Sequence, residues 1–355
     1  MNSVHAPENP DLVGIAEIAE IAGVRASAVA NWRIRRADFP APVAELRSGP
    51  VFSGPAVRKW LKRNRKEPMA HVISTINLKG GVGKTTVTVG IAEMLVHEHE
   101  QNVLVIDLDP QTNATVMLIE ESRWRDLDEE GATVAQLFAD ALEEEPSARS
   151  FSLEQALQRD VGQVSNMTGL DLLPSSLRLI DVQDRLATMP LGKYFTYSPS
   201  AILETAVKHT LDEYDFVLID CPPNLGLITL NGLRISDSFI IPTIPDVLST
   251  YGIPQILHRV ADFAAELNEP IEPLGIVINK FRAASVVHGN TLDQLESNSD
   301  YPGVFATVIP EGNAIAAGAE NVERGTLRQR YAYQGGFEKF AALTDEIVEA
   351  VGTPV

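Results

Sequence analysis

Lys79-Gly80-Gly81-Val82-Gly83-Lys84-Thr85-Thr86 follows closely on His71-Val72-Ile73-Ser74-Thr75-Ile76-Asn77, an apolar run that reads as a buried strand. A strand, a glycine-rich loop and then a helix make a phosphate-binding loop. Gly80, Gly81 and Gly83 let the backbone turn tightly and aim successive N–H groups at phosphate oxygens. Val82 belongs to the same cradle. Lys84 is placed for the β- and γ-phosphates, the Thr85 hydroxyl for magnesium, and Thr86 for the α-phosphate. The helix that starts there adds the positive end of its dipole. Lys79 is an additional cation at the entrance of the loop. It is redundant for binding by one subunit and makes sense if it reaches a phosphate held by a second copy. The bland alternative is a glycine-rich turn in an unrelated sheet protein.

The chain has 355 residues, enough for more than one domain, and 45% hydrophobic content, ordinary for a folded protein. No apolar stretch reaches the ~20 residues of a membrane-spanning helix. Residues 1–7 lack a charged-then-apolar export pattern, and the cytoplasm is the expected compartment. The single cysteine, Cys221, excludes an internal disulfide and a multi-cysteine cluster. The net charge of −19 is unevenly spread. Residues 1–68 carry 11 Lys+Arg against 7 Asp+Glu, whereas the rest carries 18 against 41. A small basic head therefore precedes an acidic body, and phosphate binding depends on the local patch rather than the total.

In the head, residues 12–22 place apolar side chains at helical spacing, Gly23-Val24 makes a turn, and Ser27 caps a second helix running to Arg36. Two short apolar runs, 38–43 and 46–52, follow. Ser48-Gly49 inside the second reads as a hairpin, hence a wing. A third helix is expected from Ala56 to Arg65, capped by Ser53, and a basic linker ends near residue 68. The expected domains are 1–68 and 69–355.

From residue 71 onward, apolar strands alternate with helix-length segments. The strands are 71–77, 103–107, 170–174, 216–220, 238–242 and 274–279, with a last one expected at 304–309. This is the pattern of an α/β fold, a mostly parallel sheet covered by helices, in which ligands sit at the carboxyl ends of the strands. Asp107, in Asp107-Leu108-Asp109-Pro110-Gln111, and Asp220 both fall at such ends. Asp220 is the expected outer-sphere acid for magnesium beside Thr85. Residues 120–150 are strongly acidic and read as a solvated insertion or helical edge.

The octet 79–86 resembles the deviant Walker A motif of the ParA/MinD family of ATPases. Residues 107–115, 170–177, 214–231 and 241–246 extend the likeness over 71–350, and Cys221-Pro222-Pro223 fits the Walker B phrase as ParA proteins write it. A nitrogenase-type relative needs cluster cysteines, and a MinD-type relative needs a basic amphipathic C-terminal helix. Residues 337–355 hold Lys339 as their one basic side chain. The resemblance implies ATP and Mg2+ as cofactors, Asp109 positioning the attacking water, and Asp107 in the metal's water shell. A helix or turn cap is the other reading of Asp109. It also implies adenine contacts from Asn279 and Pro310, for which a structural Asn and a turn Pro are equal alternatives. Non-specific DNA contact is implied near Arg282, although Ala284 stands where an arginine is expected; Arg324, Arg328 and Arg330 form a second basic cluster.

Residues 1–68 resemble the winged helix-turn-helix of the MerR/excisionase type. Arg25, Ser27, Asn31, Arg33 and Arg35 are then groove contacts and Arg47 a wing contact to phosphate. A protein-docking module is the alternative. Together the two resemblances imply a partition ATPase: an ATP-favoured homodimer, cytoplasmic and nucleoid-associated, that binds DNA non-specifically. Its hydrolysis is stimulated by a ParB-like adaptor, its head binds an operator, and no membrane is involved. Positioning of a protein cargo, or nucleotide-sensing transcriptional control, are the alternatives.

Overall fold

The structure, a computed structural model, describes residues 11–22, 29–30, 32–33, 36, 38–46, 49–64, 70–143, 145–164, 167–188, 198–312, 325–331 and 335–352. The chain divides into a smaller compact unit, Met1–Ala70 with Thr210–Tyr214, and a larger one, His71–His209 with Asp215–Val355.

The smaller unit carries β1 (Leu12–Gly14), β2 (Ala44–Leu46) and β3 (Gly49–Ser53) in an antiparallel sheet of order β1-β3-β2. The helices Ile15–Ala22 and Gly54–Asn64 belong to it, and residues 29–30 and 32–33 are helical too. Residues 12–14 are therefore a strand, not the first turn of the expected helix. Val13 pairs with Phe52, and the helix begins only after Gly14. Ladder bonds to β3 outweigh the helical spacing there. The core is aromatic. Trp32, Phe39, Phe52 and Trp60 are buried, with the Trp32 and Trp60 rings 5.5 Å apart and Phe39 and Trp60 at 4.8 Å. In the hairpin Leu46 opposes Gly49, whose φ of 121° is open only to glycine. Arg25, Ser27, Asn31, Arg35 and Arg47 lie outside the described residues.

The larger unit holds β4 (His71–Thr75), β5 (Val103–Asp107), β6 (Leu170–Leu173), β7 (Phe216–Asp220), β8 (Ser238–Thr243) and β9 (Glu272–Ile278). All pair in parallel, in the order β6-β5-β7-β4-β8-β9. Every residue of β5, β7 and β8 is buried, which explains their unbroken apolar character. The expected strand at 304–309 does not form a ladder. Val304 and Pro310 make isolated bridges to Ile276 and Phe281. Between them the N–H groups of Ala306 and Thr307 donate instead to the Glu346 carboxylate, at 2.6 and 2.9 Å.

The helix Lys84–His97 is buried along most of its length and packs against the helix Gly336–Ala350. Gly90 makes the contact close: a Cβ there stands 2.5 Å from the fully buried Phe340 ring. Gly90→Val is expected to destabilise the fold by about 1–3 kcal/mol through overpacking. A lower urea midpoint with an unchanged m-value checks it.

Candidate functional site

The loop 79–86 joins the end of β4 to the helix Lys84–His97, and two glycines give it its shape. Gly81 has φ 77° and Gly83 φ 89°. Gly83 is also the N-cap, and a Cβ on it collides with Asn279 Nδ2. Beyond the adjoining residues, nothing among the described residues lies within 4 Å of a Cβ built on Gly80 or Gly81, so there is open space beside the loop. A cleft lined by Gly80, Gly81, Lys84, Thr85, Thr86, Asp109, Gln111 and Lys280 lies before it.

β5 and β7 are neighbours in register, which sets Asp107 directly beside Asp220. Both are fully buried. Thr85 Oγ1 donates to Asp220 Oδ2 at 2.6 Å, while Asp220 Oδ1 is buried without a hydrogen-bond partner among the described residues. An orphaned carboxylate oxygen beside a threonine hydroxyl at a phosphate loop fits the surroundings of magnesium, which takes oxygen ligands and keeps several waters. Among the described residues no group of three or more His, Cys, Asp or Glu forms a metal cage.

Asp107 is placed differently from the metal-shell expectation. Its Oδ1 accepts the Asp109 N–H at 3.0 Å, and its Oδ2 accepts the Thr115 N–H and hydroxyl at 2.9 and 2.7 Å. Both oxygens are occupied in fixing the turn that carries Asp109, so Asp220 is the buried acid with an oxygen to spare. Asp109 is 5% exposed and lines the cleft; its Oδ1 accepts the Gln111 N–H at 2.9 Å, a turn-capping bond, and Oδ2 is not bound in it.

Burial raises all three carboxyls. For Asp107 it outweighs the Thr115 bonds and sets the pKa at about 7. Asp220 is held well above the carboxylate range by burial and then by Asp107. Asp109 is raised by burial, against the Gln111 N–H and the Lys84 charge.

Lys79 does not face the cleft. Its Nζ lies 3.3 Å from Asp246 Oδ1 and donates to Ser249 Oγ at 2.8 Å, within the same chain. Burial pushes the Asp246 carboxyl up, but the Ser249 donors and Lys79 together hold it below its usual range. The side chain expected to touch adenine, Asn279, is 1% exposed and otherwise engaged: Nδ2 donates to the Val82 carbonyl at 2.8 Å and Oδ1 accepts the Lys280 N–H at 2.9 Å. It braces the phosphate loop. Pro310 is half-buried and bridged to Phe281.

A family model described as an AAA domain (AAA_31) matches residues 70–273. An uncharacterised protein of Pseudomonas putida is 30% identical over 287 residues, 81% of this chain and 97% of that protein. The chromosome-partitioning ATPase Soj of Thermus thermophilus is 29% identical over 281 residues, 79% of this chain and 96% of its own. Among solved structures, cobyrinic acid a,c-diamide synthase of Mycobacterium smegmatis, with a bound ATP analogue and magnesium, is 26% identical. It superposes with a TM-score of 0.59 over 79% of this chain and 94% of that one. The chain belongs to the ParA/MinD-type P-loop ATPases.

In this ATPase the basic residues expected at DNA that lie among the described residues are engaged within the chain. Arg282 makes a two-point ion pair with Glu311. Arg33 lies 4.0 Å from Glu45. Arg330 is no surface residue: it is 4% exposed, pairs with buried Glu93 at 3.1 Å and donates to the Met117 carbonyl, which corrects its place in a DNA-facing cluster. Arg328 stacks over Phe337 and pairs with Glu338, and Arg324 lies outside the described residues. Sequence reasoning missed Asp246 and Ser249 as partners of Lys79, and Lys280 on the loop. The Asp246-x-x-Ser249 cap spacing was the available signal for the first.

The raised acids fix a pH dependence. Their folded-state pKa exceeds the unfolded value of about 4, so the folded state binds more protons over that interval and stability falls as pH rises. Stability is fully present below about pH 4 and is lost through about pH 7 for Asp107. Asp220→Asn keeps an acceptor for Thr85 and removes one buried charge. In the ligand-free protein it is expected to flatten the fall in Tm as pH rises above about 4, and to raise Tm at the upper end. Thermal melts across pH check it. Magnesium-dependent nucleotide binding should drop in the same variant.

Proposed function

We propose that this ATPase is a DNA-partition motor that hydrolyses ATP with Mg2+ at residues 79–86. The observation that carries the reading is the Thr85–Asp220 bond with its orphaned oxygen, set beside cleft-lining Asp109 at an open glycine loop. The relation to a chromosome-partitioning ATPase along 96% of that protein supports the biological role.

Gly80 to Thr86 would hold the phosphates through N–H groups, Lys84 would neutralise their charge, and Thr85 directly and Asp220 through the metal's waters would hold magnesium. When bound, the metal offsets the charge that develops on the transferred phosphoryl oxygens. Asp109 orients the attacking water from the turn that Asp107 and Thr115 fix. Lys79 leaves Asp246 and reaches the nucleotide of a second copy, so ATP favours the dimer. The dimer binds DNA without sequence preference, and two modest basic surfaces acting together give the affinity. A ParB-like adaptor stimulates hydrolysis and release. The unit up to Ala70 acts as a winged helix-turn-helix that binds an operator and represses its own operon. Arg25, Ser27, Asn31, Arg33, Arg35 and Arg47 make that contact. The setting is the cytoplasm, on the nucleoid; among the described residues no helix is long and apolar enough to cross a membrane.

ATP turnover measured with and without DNA and adaptor tests the reading. Asp109→Ala is expected to bind ATP normally and to lose turnover by about a hundredfold or more. Lys79→Ala is expected to bind ATP as a monomer and to lose ATP-dependent DNA binding. Wild-type DNA binding by Lys79→Ala removes the cross-subunit role. Unchanged turnover in Asp109→Ala removes the water-positioning role.

A further inference from the structure

Residues 279–280 leave β9 and turn back onto the phosphate loop. Lys280 adopts φ 51°, a left-handed conformation that residues with a Cβ seldom take. Its Nζ donates to the Gly81 carbonyl at 2.6 Å. Asn279 Nδ2 holds the next carbonyl, that of Val82, at 2.8 Å. A trans peptide is planar, so a carbonyl and the N–H that follows it point in opposite directions. Tying the Gly81 and Val82 carbonyls to the β9 side therefore turns the N–H groups of Val82 and Gly83 the other way. Lys280 lines the same cleft as Lys84, Thr85 and Asp109. Lys79, the other lysine beside the loop, is turned to Asp246 and Ser249.

We propose that Lys280 is a positioning residue of the phosphate site: its ammonium clamps the Gly81–Val82 peptide with the Val82 N–H presented to a bound polyphosphate. The ligand class is a nucleoside di- or triphosphate, and the inference rests on the nucleotide reading above. The clamp acts on the phosphates and not on the base. Its positive charge also adds to the potential of the loop. Two independent features of the same residue serve it, the strained backbone and the short bond. Asn279 alone fixes only the Val82 carbonyl.

The test uses full-length wild type, Lys280→Met, which keeps the stem without the donor, and Lys280→Arg, which keeps a charged donor. Titration calorimetry with Mg–ATP and Mg–ADP is paired with ligand-free melts and steady-state turnover. Lys280→Met is expected to bind both nucleotides about tenfold more weakly, the size of one hydrogen bond to a charged group. Its KM should rise more than its kcat falls, its ligand-free Tm should match wild type, and Lys280→Arg should recover most of the affinity. Wild-type affinity in Lys280→Met overturns the clamp. So does a loss of affinity that tracks a loss of ligand-free Tm without recovery in Lys280→Arg, since that marks a merely structural turn. Should wild type take up neither nucleotide, the nucleotide reading itself falls, and the clamp with it.

Discussion

Two carboxylates buried side by side, Asp107 and Asp220, constrain everything around them. Parallel pairing of β5 and β7 puts them in register, and neither reaches water. Like charges so placed are costly unless protons, donors or a cation offset them. The fold answers asymmetrically. Asp107 is satisfied by three donors, the Asp109 N–H of the turn that follows it and the Thr115 N–H and hydroxyl of the helix Asn113–Leu118. Asp220 receives one, from Thr85, and among the described residues its other oxygen has no partner. One acid has become a structural post, and the other keeps an oxygen without a partner among the described residues. The asymmetry also separates the jobs along the second strand, because the post holds Asp109 at the cleft.

The phosphate loop is likewise held from outside. Glycine provides the conformations at Gly81 and Gly83, yet glycine also leaves a loop loose. Asn77 accepts the Lys79 N–H, Asn279 holds the Val82 carbonyl, and Lys280 holds that of Gly81. These braces fix three backbone groups of the loop before any ligand arrives. Lys79 is held elsewhere, on Asp246 and Ser249. Its charge is thus kept off the phosphate loop of its own chain.

Much of this was legible in advance. The strand–glycine loop–helix order and the apolar runs ending in acids needed only local pattern, since a buried parallel strand must be apolar throughout. The hairpin was legible through Ser48-Gly49. Three readings failed for non-local reasons. Residues 12–14 have helical spacing but meet β3, and residues 304–309 have strand composition but meet the Glu346 carboxylate. Arg330 looks like a surface cation until Glu93, 237 positions earlier, closes over it.

The sequence by itself determined the class of fold and marked the glycine loop at 79–86 between a strand and a helix, because both rest on spacing along one strand, one loop and one helix. The tertiary structure alone decided which acid is engaged and which keeps a bare oxygen. It also decided that Asn279 and Lys280 grip the loop, and that Lys79 is turned away from it. Each of those depends on partners brought together by strand order, from Thr85 and Asp220 to Gly81 and Lys280. Spacing along a chain does not encode which strand ends become neighbours; packing of the sheet does.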